Sequence, residues 1–172
     1  MGDFVIVISI ILFSSNVREV LGACETRTTA VTAWYRSQQS GNLDNFYTHS
    51  QSEMVTATTS LGYRYEGVIG YLYTALPVTN GATIYRYWTS NNDHFYSINS
   101  TEYLGMAPET FTFEGSPGYC SNVSGKGLCP IYKLYNPTTK HVLLTTNYNE
   151  MVYWQTNGFT YQYIMCYILC NA

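Results

Sequence analysis

The stretch IYRYWTSNNDHFYSINSTEYLGMAPETFTFEGSPGYC, residues 84–120, decides how the chain is read. Taken alone, its Asp93, His94, Asn99 and Glu102 resemble an acid–imidazole–carboxylate cluster suited to general acid/base work. Its neighbours argue otherwise, because they say nearly the same thing. WYRSQQSGNLDNFYTHSQSEMVTATTSLGYRYEGVIGYLY precedes it at residues 34–73, and IYKLYNPTTKHVLLTTNYNEMVYWQTNGFTYQYIMCYIL follows at residues 131–169. The openings Tyr35-Arg36, Tyr85-Arg86 and Tyr132-Lys133 recur 50 and 47 residues apart. A period of this length marks a repeat architecture, with units expected at about 34–81, 82–129 and 130–172.

Each unit parses alike. An aromatic strand is followed by a polar turn, SGNLDN, SNNDH or NPTTKH, whose Asn, Gly, Asp and Pro favour tight backbone geometry. A second short strand follows, FYTH, FYSI or VLLTT. Ser50-x-x-Glu53, Asn99-x-x-Glu102 and Asn147-x-x-Glu150 then read as capping boxes, with the Glu reaching back to the cap N–H. A short helical turn should follow each, ending near Gly62 or Gly158. The unit closes on the aromatic alternation YRYEGVIGYLY, FTFEGSPGYC or YQYIMCYIL, a strand pattern. Side chains that recur in every unit point to fold determinants or to several equivalent binding sites, and Glu53, Glu102 and Glu150 are read as caps.

Units that cannot bury their faces alone predict a closed assembly. The expectation is an all-β fold with short helical turns, three-fold pseudo-symmetric and β-trefoil-like, with a compact three-unit toroid or small propeller as the alternative. The sets Phe46/Phe95, Tyr65/Phe113/Tyr161 and Tyr71/Tyr119/Tyr167 should be equivalent and mostly core.

The order Tyr-Arg, Asp-His-Phe-Tyr, Glu, then Tyr-or-Phe-Glu-Gly-x-x-Gly-Tyr resembles an uncharacterised secreted three-repeat family, domain of unknown function 5648, from about Trp34 to Leu169. The resemblance implies a secreted module found alone or beside hydrolases, and suggests attachment or binding. It carries over no catalytic residue. The third unit departs from the pattern, with Gln162, Tyr163 and Cys166 where the others have Glu66/Glu114, Gly67/Gly115 and Gly70/Gly118.

Composition narrows the classes. Tyr occurs 18 times, and charged residues make up only 11%. Eight Lys and Arg face eleven Asp and Glu, which argues against a nucleic-acid partner. The ten-residue apolar run Phe4–Phe13 is too short for a bilayer span, which takes about 18–20 residues. It reads as a signal-peptide core over residues 1–23, with Leu21-Gly22-Ala23 as cleavage site and residues 24–172 as one secreted, extracellular domain. Leu21-Gly22-Ala23-Cys24 also looks like a lipoprotein box, against which stand the missing basic residues ahead of the run. Secretion permits disulfides. Cys120 and Cys129 bracket a Gly-rich loop and are the easiest pair to close, and Cys24 with Cys170 would tie the ends, leaving Cys166 over. Sequence spacing alone does not fix this connectivity. Asn99 and Asn122 head glycosylation sequons. No spacing suggests a metal, and nothing calls for a cofactor.

Three functions compete. A carbohydrate-binding, lectin-like monomer would use polar-aromatic turns. The candidate residues are Asp93, His94, Tyr96, Trp88 and Glu114 in the second unit, and Asp44, Asn45, Tyr47 and Glu66 in the first. Repetition would make such sites multivalent. An extracellular protein-interaction or structural module needs no pocket. A hydrolase could pair Glu66 with Glu114, but they are symmetry equivalents expected far apart, and no hydrolase motif is present.

Overall fold

The computed structural model describes residues 30–41, 44–77, 79–106 and 108–170. The expected signal peptide and Cys24 lie outside the described residues. The described residues are mostly β, an open antiparallel sheet of nine strands with two short α-helices. The first segment holds β1 (Val31–Gln39), β2 (Asn45–Thr48), α1 (Gln51–Ser60) and β3 (Tyr63–Tyr73). The second holds β4 (Gly81–Thr89), β5 (His94–Ser97), a 3-10 turn (Glu102–Gly105) and β6 (Phe111–Ser121). The third holds β7 (Leu128–Tyr135), β8 (Val142–Thr145), α2 (Tyr148–Gln155) and β9 (Thr160–Leu169).

Pairing follows one rule in each segment. The opening strand lies between the short strand and the closing strand, as in β2-β1-β3, β5-β4-β6 and β8-β7-β9. The closing strands also meet one another, at Tyr73–Tyr119, Ser121–Tyr167 and Tyr71–Leu169. Two glycines permit these crossings. A Cβ on Gly70, at φ +152°, would lie 2.5 Å from Ile168 Cδ1, and one on Gly118, at φ +150°, would lie 3.1 Å from Leu72 Cβ. The approach that these glycines allow is therefore that of a neighbouring strand.

Short helices arise where the capping signals stand. Ser50 Oγ accepts the Glu53 N–H at 3.2 Å, and Asn147 Oδ1 accepts from Asn149 and Glu150. In the second segment the helix shrinks to a 3-10 turn. Gly105 and Pro108 fall where α1 continues through helix-compatible residues, and Asn99 Oδ1 accepts from Thr101 instead. Gly62 and Gly158 take positive φ beyond the helix ends.

The core is central and aromatic, built on Trp34, Tyr47, Leu72, Ile84, Phe95, Tyr96, Ile131 and Ile168. A satellite of Phe46, Met54, Ala57 and Tyr63 sits with α1, and another of Leu134, Leu143, Met151 and Phe159 with α2. Phe46 and Phe95 are core as expected, but Tyr65 is 50% and Phe113 58% exposed, and Tyr161, Tyr71, Tyr119 and Tyr167 are half-buried. Tyr65 and Phe113 fall on the pleat that faces away from the core, because β-strand side chains alternate.

The cysteine pairing differs from the sequence reading. Cys120 bonds Cys166, and Cys129 bonds Cys170, with Cα separations of 6.1 and 5.3 Å. Cys120 therefore does not close on Cys129, Cys170 is not free for Cys24, and Cys166 is not left over. Strand adjacency decides this: β6 meets β9 at Ser121–Tyr167, and Cys129 faces Ile168 across β7–β9.

Candidate functional site

The polar turns that looked like binding surface turn inward. Asp44, Asn45, Tyr47, Asp93 and Tyr96 are all at most 1% exposed. Asp44 accepts the His94 backbone N–H at 2.9 Å, the His94 Nδ1–H at 2.8 Å and the Tyr63 hydroxyl. Asp93 accepts the Val142 N–H at 3.0 Å and faces His141 Nδ1 at 3.3 Å. Asn45 donates to the Val142 carbonyl at 3.1 Å. Each turn thus binds a turn of another segment. The two buried tyrosines do likewise: Tyr47 OH bridges the Leu144 carbonyl and N–H at 2.7 and 2.8 Å, and Tyr96 OH bridges those of Tyr47 at 2.9 and 2.8 Å. A ligand cannot reach these five side chains, which the sequence offers as binding residues.

Charge in this interior is arranged around one proton. Burial works to raise the Asp44 carboxyl, but hydrogen bonds and charge from His94, with donors on Asp93 and Tyr63, hold it below its ordinary value. Burial pushes Asp93 well above its ordinary value, and the charge of Asp44 and their shared hydrogen bond push it further. Asp93 is the neutral partner and Asp44 the ionised one.

The three glutamates of the capping boxes reach sideways as well as back. A hydroxyl stands between each Glu and its cap N–H: Thr48 Oγ1 accepts from Ser50 N at 3.0 Å and donates to Glu53, Ser97 does the same for Asn99 and Glu102, and Thr145 for Asn147 and Glu150. The other side of each carboxylate holds a cation of a different segment. Glu53 takes Arg86 at 3.0 and 2.8 Å, Glu102 takes Lys133 at 2.8 Å, and Glu150 takes Arg36 at 3.1 and 2.9 Å. Glu66 and Glu114 complete the arginine sites, at 2.9 Å from Arg36 Nε and 3.2 Å from Arg86 Nε. The third segment lacks that glutamate, and Tyr163 OH takes its place, donating to Glu102 at 2.6 Å. Lys133 packs 4.1 Å from the Phe95 ring, and burial pushes its ammonium down to about 8 against the pull of Glu102.

Two candidates do reach a cavity. His94 and Glu114 line a cleft of about 590 Å³ with Ser50, Ser52, Glu53 and Tyr63, along α1 as far as Leu61 and beside the bulged part of β6. Its floor includes the Phe46 ring, which stacks 4.7 Å from the imidazole. His94 Nε2 lies 3.5 Å from Glu114 Oε2, while Asp44 holds Nδ1 from behind. Trp88 is half-buried and backs the imidazole edge-on at 4.8 Å. Glu66 serves Arg36. A smaller cavity of about 90 Å³ shares Glu53 and Glu114 and adds His49 and Arg86. Ser50, Ser52, Glu53 and Tyr63 were not legible as site residues, since only the fold lays α1 beside β6.

The model of the family described as Domain of unknown function (DUF5648) matches residues 33–169. The chain belongs to that family. No curated protein and no solved structure matches it.

In this DUF5648 domain, then, the side chains that recur from segment to segment largely make contacts between segments. Burial favours the protonated Glu53, but hydrogen bonds from Arg86 and Thr48 and the guanidinium charge outweigh it and hold the carboxyl below its ordinary value. A general acid needs the opposite shift. Among the described residues no group of three His, Cys, Asp or Glu is placed to hold a metal, and no helix is long and apolar enough to cross a membrane.

Proposed function

We propose that this DUF5648 domain is a secreted, non-enzymatic carbohydrate-binding module whose ligand lies in the cleft between α1 and β6. The observation that carries this reading is the convergence of His94, Glu114, Glu53, Ser50 and Ser52 over the Phe46 and Tyr63 rings in about 590 Å³. That size suits a small-molecule ligand. Rings beside carboxylate and hydroxyl groups suit a sugar, which offers an apolar face and a fringe of hydroxyls. Two disulfides accord with an extracellular setting, and Asn99 and Asn122 are exposed as glycan attachment would require.

The segments are further proposed to form one β-trefoil-like domain with a pseudo-three-fold axis, acting as a monomer. The repeated element order, the mutual pairing of β3, β6 and β9, and the Glu-to-cation contacts linking first to second, second to third and third to first support it.

A glycan array probed at high protein density tests the function. The expected result is binding to a defined glycan class that Glu114→Gln and His94→Ala weaken at least tenfold. A blank array together with blank polysaccharide pull-downs would overturn it. Capture of one protein partner, insensitive to free sugars, would establish the interaction-module reading in its place.

A further inference from the structure

We propose that three aromatic pairs on the outer sheet surface are stacking platforms for a neutral, repeating polysaccharide. The pairs are Tyr35–Tyr65, Tyr85–Phe113 and Tyr132–Tyr161, with ring centroids 6.4, 6.3 and 6.3 Å apart. Their tilts are also alike, at 51°, 54° and 63°. Each pair joins the opening and closing strands of one segment, and each is diagonal across the pairing. Tyr65 faces Ser37, two residues past Tyr35; Phe113 faces Tyr87, two past Tyr85; Tyr161 faces Leu134, two past Tyr132. Residues so placed share one face of the sheet.

Core packing does not account for Tyr65 and Phe113, which are 50% and 58% exposed. Their partners Tyr35 and Tyr85, and both rings of the third pair, are half-buried and lean on core clusters, which holds each pair in place. A ring at the same strand position in each segment, solvent-facing in the first two, sets them apart from scattered surface hydrophobics.

The first pair shows what such a platform accepts. It walls a hollow of about 360 Å³ with Gln51, Met54, Val55 and Thr58, and none of the lining side chains is charged. Rings and methyl groups supply an apolar floor, while the tyrosine hydroxyls, the Gln51 amide and the Thr58 hydroxyl supply hydrogen bonds at its margin. An uncharged pyranose, with C–H groups on one face and hydroxyls around it, matches both. A protein partner is matched less well, because a specific interface needs one contiguous patch of about 800 Å² per side, and these are separate ring pairs on three strand pairs. Three ring pairs at matching strand positions suit a ligand that repeats, since tethered weak contacts multiply into avidity. The ring pairs do not line the α1–β6 cleft, so this inference stands on other residues than the proposed function.

Retention on cellulose, chitin, xylan and laminarin is the test. The wild-type domain is expected to be retained by at least one of the four polymers. Tyr65→Ala or Phe113→Ala should each weaken that retention severalfold, and the triple variant with Tyr161→Ala about a hundredfold or more. Val123→Ser, exposed and remote from the ring pairs, is the surface control. Tyr161 packs against the α2 cluster, so the Tyr65→Ala/Phe113→Ala double variant decides the matter should the triple variant not fold. Wild-type protein retained by none of the polymers would overturn the proposal, as would a folded double or triple variant retained like wild type. The ring variants leave every cleft residue in place, so loss of polymer retention in them is distinguishable from failure of the cleft reading, which Glu114→Gln and His94→Ala test.

Discussion

Arg86 on β4 donates two hydrogen bonds to Glu53 on α1, at 3.0 and 2.8 Å, and so joins the second segment to the first. Its Nε serves Glu114 at 3.2 Å, which makes one guanidinium the counter-ion of two carboxylates. The Arg86 side chain is 13% exposed and that of Glu53 39%. Arg86→Met should therefore cost about 2–3 kcal/mol, below the 3–5 kcal/mol of a fully buried pair, since solvent screens the orphaned Glu53. Arg64, with its side chain 73% exposed, also pairs with Glu66, and Arg64→Met should cost no more than about 0.5 kcal/mol. Urea midpoints of the two variants check the contrast. Equal midpoints would refute a structural role for the Arg86 contact.

The Asp44–Asp93 pair predicts a stability optimum on the acid side. Asp93 faces Asp44, His141 and the Val142 N–H, and its carboxyl is raised above its ordinary 3.8 by burial and by Asp44. A raised group gives its full contribution below the unfolded value and loses it as pH rises through the folded one. Asp44 is lowered, so its contribution is present above 3.8 and is lost as pH falls through its folded value. Asp93→Asn keeps a donor toward Asp44 without a titrating proton. The variant should flatten the fall of Tm as pH rises from the ordinary 3.8 through the raised folded value of Asp93. Lys133 is pushed down only to about 8, so its ammonium adds no slope below that pH. A variant whose Tm falls with pH as steeply as wild type would contradict the assignment of the proton.

Peptide mapping without reduction should return Cys120 linked to Cys166 and Cys129 linked to Cys170. The first bond closes a separation of 46 residues, and Cys120→Ser/Cys166→Ser should cost about 4 kcal/mol on the loop-entropy relation. A Cys120–Cys129 peptide would show the strand adjacency of β6 and β9 to be wrong.

Tyr47→Phe removes one oxygen and leaves the Leu144 N–H and carbonyl without the hydroxyl that serves both. The site is fully buried, so a loss of about 2–4 kcal/mol is expected. Tyr71→Phe, half-buried at the β3–β9 crossing, is the comparison and should stay within about 1 kcal/mol. Calorimetry on the pair would settle whether the Tyr47 bridge matters.

Much of the architecture could be read from the chain because it is written locally. The Asn, Gly and Pro turns, the Ser50 and Asn147 caps and the alternating closing strands depend on neighbours within a few residues. What could not be read was who meets whom between segments. Asp44 and Asp93 have the composition of a site, yet their partners are His94, Val142 and His141, about fifty residues further on. Glu53 was legible as a cap but not as the anchor of Arg86, since spacing on one segment carries no information about the face of the next. Tyr65 and Phe113 turn outward for a related reason: the alternation of a strand shows that two faces exist, and only packing tells which is wet. The cysteines failed similarly, because proximity along the chain favoured Cys129 and proximity across β6–β9 favoured Cys166.

The contact from Glu150 back to Arg36 has a mechanical outcome. In a linear stack the outermost member touches one neighbour, so such arrays fray inward from either extremity. Here each segment is gripped on both flanks, and none can peel off without parting two seams at once. Denaturation should accordingly be all-or-none, with no populated state in which two thirds of the sheet outlive the remainder.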